Sequence, residues 1–404
     1  MNNTNLIFKN TINMNNQKDS PVKMLSKQFD KIFLEIKSDI NNKKKTLNFL
    51  SKDYKFNFKV EDLRQFKKFK SVALIGMGGS ILGAEAIYSF LQTKVKKKFY
   101  FFNNLDENKL SNFKKKNLSK ILFVIISKSG NTIETLSNTF ALNIIKKNAK
   151  NIILITEKKN NILFSLSKKL NLFYVEHKNY IGGRYSVLSE VGIIPAYLMG
   201  INISKLRSKI TDCLDVKNKS FLKKSAINLV NLINSKKCNN LIFLNYFPEF
   251  EKFLYWCQQL IAESLGKKNK GFLPVISSAP KDHHSLLQLY LDGPKDKLFN
   301  IFSLENQSKE KVIINKNIGL NSFINGKKLS TIKNSQKQAL IKSFIKKNIP
   351  FSEFKIKLAN EQVLGKLFSF FIIETIIICK LLKVNPYDQP AVEQVKIYTK
   401  QLLS

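Results

Sequence analysis

A chain of 404 residues, 44% of them hydrophobic, can bury the cores of two ordinary domains, and its composition argues against a disordered or fibrous protein. A formal net charge of +39 would ordinarily suggest a polyanionic partner, yet of the 68 basic residues only Arg64, Arg184 and Arg207 are arginine. Readers of nucleic-acid backbones rely on the arginine fork, whereas these lysines are scattered through runs such as NNKKK and VKKKF, so the charge reads as a solvated, biased surface with no specific nucleic-acid partner.

The opening MNNTNLIFKNTINMNNQ lacks the charged cap, apolar core and cleavage site of a secretory leader, which makes a cytoplasmic protein the expectation. Residues 1–40 read as an N-terminal extension, helical or partly disordered. From Ser71 to Val175 short β-branched runs (SVALIG, FYFFN, ILFVIIS, NIILIT, LFYVE) alternate with helical segments (SILGAEAIYSFLQ, ENKLSNFKKK, TIETLSNTFALNIIKK, ILFSLSKKL). Apolar runs without period-2 alternation, separated by helices, mark a parallel sheet covered on both faces, so residues 41–212 are assigned to a doubly wound α/β domain.

A second cycle starts near Asn218 and occupies a domain placed at 213–404. AINLVNLINSKK and EKFLYWCQQLIAESLG are its helices, the latter closed by Gly266; NLIFLNY, GFLPVIS and KLFNIFSL are its strands. Residues 311–333 show no clear pattern. VLGKLFSFFIIETIIICKLL reads as a buried core helix, because Glu374 and Lys380 interrupt it short of the roughly 18 apolar residues of a membrane span. A last helix, AVEQVKIYTKQLL, is entered through NPYDQP. Cys213, Cys238, Cys257 and Cys379 fit no metal-binding spacing and read as reduced, buried thiols.

Two strands run into ligand-type loops. GMGGS, Gly76 to Ser80, is no dinucleotide fingerprint, since Ile81 stands where the third glycine belongs, and no Gly-Lys-Ser/Thr follows to make a P-loop. After ILFVII, Ser127, Lys128, Ser129 and Thr132 surround Gly130 at the start of a helix; they suit a phosphate monoester, or serve as a plain cap. Arg184, behind two glycines in GGRYS, offers its planar fork to an oxyanion or phosphate, or forms a surface ion pair. Gln259 and Glu263 lie four apart on one helix face, Glu263 a general base or a solvated partner of Lys267. His177 falls in a lysine-rich turn. His283 and His284 are adjacent and point apart, which gives no metal shell; one is expected as an acid–base residue and the other exposed. Gln389 and Lys396 flank the entry to the last helix, where the lysine could reach back to a ligand oxygen or stay solvated.

GMGGSILG, SKSGNTIET, GGRYS, QQLIAESLGK, DHHSLLQLYLDG and YDQPAVEQVK stand in the order, and with the neighbours, of the glucose-6-phosphate isomerase family, which the chain resembles over roughly residues 70 to 404. The resemblance implies two sugar isomerase (SIS) domains, each a three-layer αβα sandwich with a parallel sheet, in a homodimer whose subunits complete each other's sites. It implies reversible isomerisation of glucose 6-phosphate and fructose 6-phosphate through a cis-enediol, without metal or cofactor. By resemblance Ser127, Lys128, Ser129 and Thr132 form the phosphate loop, with Gly79 and Ser80 beside it. Arg184 matches the arginine that steadies the enediolate, Glu263 the base between C1 and C2, and Gln259 its neighbour on the sugar. His284 matches the ring-opening histidine, supplied across the dimer, and Gln389 and Lys396 the C-terminal pair that assists it. The chain departs from the family in being short, in Glu190 after SVLS, and in Pro390-Ala391 within the last motif. These leave open an added mannose-6-phosphate activity; a non-catalytic sugar-phosphate sensor of the same fold is the competing reading.

Overall fold

Ile121–Ile126 is buried at every residue, as a strand must be when helices cover both faces of its sheet. The computed structural model describes residues 6–10, 20–305, 310–314 and 322–404, so parts of the expected N-terminal extension and of the unassigned 311–333 stretch lie outside the described residues. In chain order the strands are β1 (Leu6–Asn10), β2 (Ser71–Gly76), β3 (Lys98–Phe102), β4 (Ile121–Ile126), β5 (Ile152–Thr156), β6 (Phe173–Glu176), β7 (Asn240–Asn245), β8 (Leu273–Ser278), β9 (Lys297–Leu304) and β10 (Phe351–Ile356). The helices are α1 (Ser20–Asn41), α2 (Leu82–Phe90), α3 (Glu107–Lys114), α4 (Ile133–Ala141), α5 (Ile162–Lys169), α6 (Glu190–Leu198), α7 (Ile203–Arg207), α8 (Val216–Ser235), α9 (Glu251–Leu265), α10 (Leu287–Asp292), α11 (Leu329–Lys346), α12 (Glu361–Leu381) and α13 (Glu393–Leu403).

The strands form two five-stranded sheets of matching order, β3-β2-β4-β5-β6 and β8-β7-β9-β10-β1. All neighbours are parallel except β1, which adds antiparallel to β10 in the place that β6 holds in the first sheet. The expected α/β architecture with two parallel sheets is therefore present. α1 lies against α12 and α8, and α2 packs on α9, joining the two halves.

α12 is long and apolar enough to cross a membrane, but 89% of its apolar window is buried inside the protein, as in a core helix. Asn360 caps it through the Val363 amide. The four cysteines are free and buried. One predicted helix is shorter than its pattern suggested: α4 stops at Ala141 because Asn143 turns left-handed, with φ at 51°, a conformation asparagine tolerates at a helix end.

Candidate active site

At the carboxyl end of β4 three hydroxyls converge. Ser127 Oγ lies 2.8 Å from Thr132 Oγ1, and Ser129 Oγ is 3.4 Å from the same atom. Gly130, at φ +68°, turns the chain so that its amide donates to Ser127 Oγ, and Thr132 opens α4 without a side-chain cap. The first-turn amides thus face outward at the positive end of the helix. Lys128 Nζ donates to the Asn179 carbonyl at 2.8 Å and lies 3.5 Å from Glu157. Burial pulls the Lys128 ammonium below its usual range, and Glu157 opposes that shift. His177, 2% exposed beneath this loop, is held neutral, its pKa lowered to about 4 by burial. A lysine-rich sequence turn gave no hint of that burial.

β2 lies beside β4 with Gly76 opposite Ile126, so the GMGGS loop adjoins the hydroxyl loop, and Ser80 packs on Gly76. Gly79 has no room for a side chain: a Cβ there would stand 2.2 Å from the Gly183 carbonyl carbon and 2.5 Å from the Arg184 amide. A Cβ on Gly78 would meet Gln259 Nε2 at 2.7 Å. The glycines therefore let one loop touch both the arginine turn and α9.

Arg184 is 4% exposed, a buried hub where the sequence had left open a surface pair. Nε donates to Ser264 Oγ at 2.9 Å, and Nη1 donates to Glu263 Oε2 and Gln389 Oε1, each at 3.0 Å. Nη2 donates to the carbonyls of Pro386 and Asp388. All five guanidinium N–H groups are spent on the protein, a match only the planar fork can make. Gln259 Nε2 donates to Glu263 Oε1 at 2.8 Å, so both oxygens of the carboxylate are held. Lys267 pairs with Asp388 at 2.8 Å, not with Glu263. Gln259 Oε1 is a buried acceptor without a partner among the described residues.

The chain thus brings Gly79, Ser80, Arg184, Gln259, Glu263 and Gln389 together, with Ser127, Lys128, Ser129 and Thr132 on the adjoining loop. It does not bring His284 or Lys396 to that cluster. His284 is exposed at the end of the short turn Lys281–His284 and has no side-chain hydrogen bond among the described residues. Lys396 pairs with Glu393 at 2.6 Å on an exposed helix. Of the two neighbouring histidines it is His283 that is engaged, its Nε2 lying 2.7 Å from the Tyr246 hydroxyl. Sequence reasoning missed Ser264 and the Pro386 and Asp388 carbonyls, which only the tertiary fold brings to Arg184. Glu190, the family departure, is 1% exposed and satisfied by the Tyr54 hydroxyl at 2.7 Å and the Asn57 amide at 2.9 Å, with Lys178 at 3.8 Å.

Two parallel-sheet halves of one strand order, closing on such a cluster, put the chain in the class of sugar-isomerase folds. A solved structure of a hypothetical protein from Thermus thermophilus shares that fold with a TM-score of 0.83 at 20% identity, covering 99% of this chain and 100% of that one. A glucose-6-phosphate isomerase from Chlamydia trachomatis shares it with a TM-score of 0.77 at 17% identity, covering 99% and 88%. The chain belongs to the phosphoglucose isomerase family, whose model matches residues 44–404. It is 33% identical to a probable glucose-6-phosphate isomerase of Methanococcus maripaludis over 83% of this chain and 79% of that protein.

Proposed function

We propose that the protein interconverts glucose 6-phosphate and fructose 6-phosphate by moving a proton between C1 and C2, as a cytoplasmic enzyme of glycolysis and gluconeogenesis. The observation that carries this reading is the Arg184–Glu263 pair, a cation and a base 3.0 Å apart inside a chain of the phosphoglucose isomerase family. A regulator that only binds sugar phosphate would need neither a half-open carboxylate nor a guanidinium beside it.

In this mechanism the phosphate sits on Ser127, Ser129, Thr132 and the first amides of α4, with Lys128 beside it, and that remote binding fixes the sugar carbons. Gln259 takes a sugar hydroxyl on its unpaired oxygen. Glu263 removes the proton from C2 of the open-chain aldose and returns it to C1, while an Arg184 N–H turns to the enediolate oxygen. His284 opens the ring from the partner subunit, assisted by Gln389 and Lys396. Support for a homodimer comes from α13, whose Val395, Ile397, Tyr398, Leu402 and Leu403 are all exposed. Residues 41–212 and 213–404 act as the two units, with β1 paired to the second sheet.

A coupled assay on fructose 6-phosphate, reading glucose 6-phosphate with EDTA present, tests the reading. Turnover is the expected result; binding without turnover would overturn it.

A further inference from the structure

We propose that Tyr246 and His283 are positioning residues that fix the turn from which His284 opens the sugar ring. This role rests on the proposed assignment of His284 to ring opening. The His284 imidazole is exposed and makes no side-chain hydrogen bond among the described residues, yet the backbone beneath it is fastened. The turn Lys281–His284 follows the end of β8, and its first anchor is Asp282. Asp282 Oδ2 accepts from the Ser278 amide at 2.8 Å and from Ser277 Oγ at 3.0 Å. The Asp282 carbonyl accepts from the Leu286 amide at 2.8 Å, so the chain is tied on both sides of His284.

The second anchor is His283 itself. Its Nε2 lies 2.7 Å from the Tyr246 hydroxyl, and the two rings meet edge to face with centroids 5.7 Å apart. Tyr246 is a fixed post: it is 1% exposed, its amide donates to the Phe302 carbonyl at 2.8 Å, and it shares an apolar cluster with Ile242, Leu244 and Phe299. Burial pushes the Tyr246 phenol above its ordinary range. Burial first, and then the neighbouring His284, pull His283 below its own. A protonated phenol and a neutral imidazole leave the hydroxyl to donate to Nε2, and a neutral His283 spares His284 a like charge beside it when it takes up a proton. Adjacent side chains point apart, so tethering one ring inward leaves the next one outward. A turn that only joined β8 to α10 would gain little from anchors on two successive residues. One that presents the third residue to a ligand gains a great deal, because a misplacement of about 1 Å in a group that moves a proton costs about 100-fold in rate.

Exchange between the α and β anomers of glucose 6-phosphate reads ring opening without proton transfer between C1 and C2. Two-dimensional exchange NMR measures it in a Glu263→Gln background, where isomerisation does not intervene, and His284→Ala in that background sets the floor. Tyr246→Phe, which removes only the hydroxyl, and His283→Leu should each slow the catalysed exchange about tenfold, and both together no more than either alone. His283→Gln, whose amide can reach the same hydroxyl, should restore most of the rate. Affinity for sorbitol 6-phosphate, an open-chain hexitol phosphate with no ring to open, should stay as in the parent. If that affinity and the melting temperature fall in step with the exchange rate, the role is structural and the proposal is overturned. Unchanged exchange in Tyr246→Phe, where His284→Ala loses it, overturns the proposal and leaves the assignment of His284 standing. Unchanged exchange in His284→Ala overturns both, since there is then no ring-opening histidine to position.

Discussion

Arg184 and His284 belong to one proposed reaction but are held in opposite ways. The arginine is locked by five hydrogen bonds to α9 and to residues 386–389, whereas the histidine stands in solvent with no side-chain hydrogen bond among the described residues. Lys396 resembles the histidine, its one ion pair being local and more than half exposed on both sides, worth well under about 1 kcal/mol. The difference teaches that a single chain fixes the residues proposed for proton transfer, and Gln389 with them, while the side chains of His284 and Lys396, from the proposed ring-opening set, stand without a frame among the described residues. A surface that meets a second chain could supply one.

The largest effect should come from the locked half. Glu263→Gln keeps an acceptor for Arg184 and loses the base, so kcat should fall about 1,000-fold or more while KM changes little. A variant retaining a tenth of the parent rate would break the assignment. Next comes Arg184→Lys, which can replace at most three of the five bonds and none of the forked geometry. A loss of about 100-fold in kcat with a clear drop in melting temperature is expected, and an unchanged melting curve would contradict the hub.

Mixing then tests the frame itself. Glu263→Gln and His284→Ala should each be inactive alone, yet subunits exchanged between them would pair an intact Glu263 with an intact His284 in one of the two sites. About a quarter of parental activity should return, from half the dimers having one good site each. No recovery after verified exchange would put His284 and Glu263 of one chain in the same site.

The smallest effect concerns a titrating group wholly inside the core. Glu374, 5% exposed on α12, has its pKa raised to about 7 by burial, against which a hydrogen bond from Ser225 works. The unfolded chain ionises this carboxyl near 4.5 while the folded chain keeps it protonated, so its contribution to stability falls as pH rises from about 4.5 to about 7. Glu374→Gln should therefore gain melting temperature over the parent at pH 7.5 relative to pH 4.5. A difference between the two proteins that does not vary with pH would refute the buried neutral acid. His177 runs the other way: held neutral with a pKa of about 4, its share of stability is present above about 6.5 and lost as pH falls through 4.

What the sequence made legible was local. β4 and β5 announce themselves as unbroken apolar runs, and Gln259 and Glu263 meet because four residues is just over one helical turn. The convergence of Ser127, Ser129 and Thr132 also follows from a six-residue stretch. What stayed hidden depends on contacts remote in sequence. Arg184 reaches Gln389 across 205 residues, and no spacing rule says that an arginine will spend every donor there. β1 could not be assigned to the far edge of the second sheet, because its pairing with β10 closes a loop of more than 300 residues. The pair of histidines was ambiguous for another reason: only the position of Tyr246 decides that His283 is the one engaged.

The crowded hydrogen-bond shell of Arg184 makes ligand binding an exchange rather than an addition. In the proposed mechanism an enediolate oxygen would take an N–H now given to Glu263 or Gln389, so the affinity would be a difference between two sets of bonds. The unliganded protein would compete with the sugar through the proposed base. As the cation turned away, the carboxylate would lose its counter-charge at the moment it accepted a proton, and proton transfer and oxyanion stabilisation would become two ends of one movement.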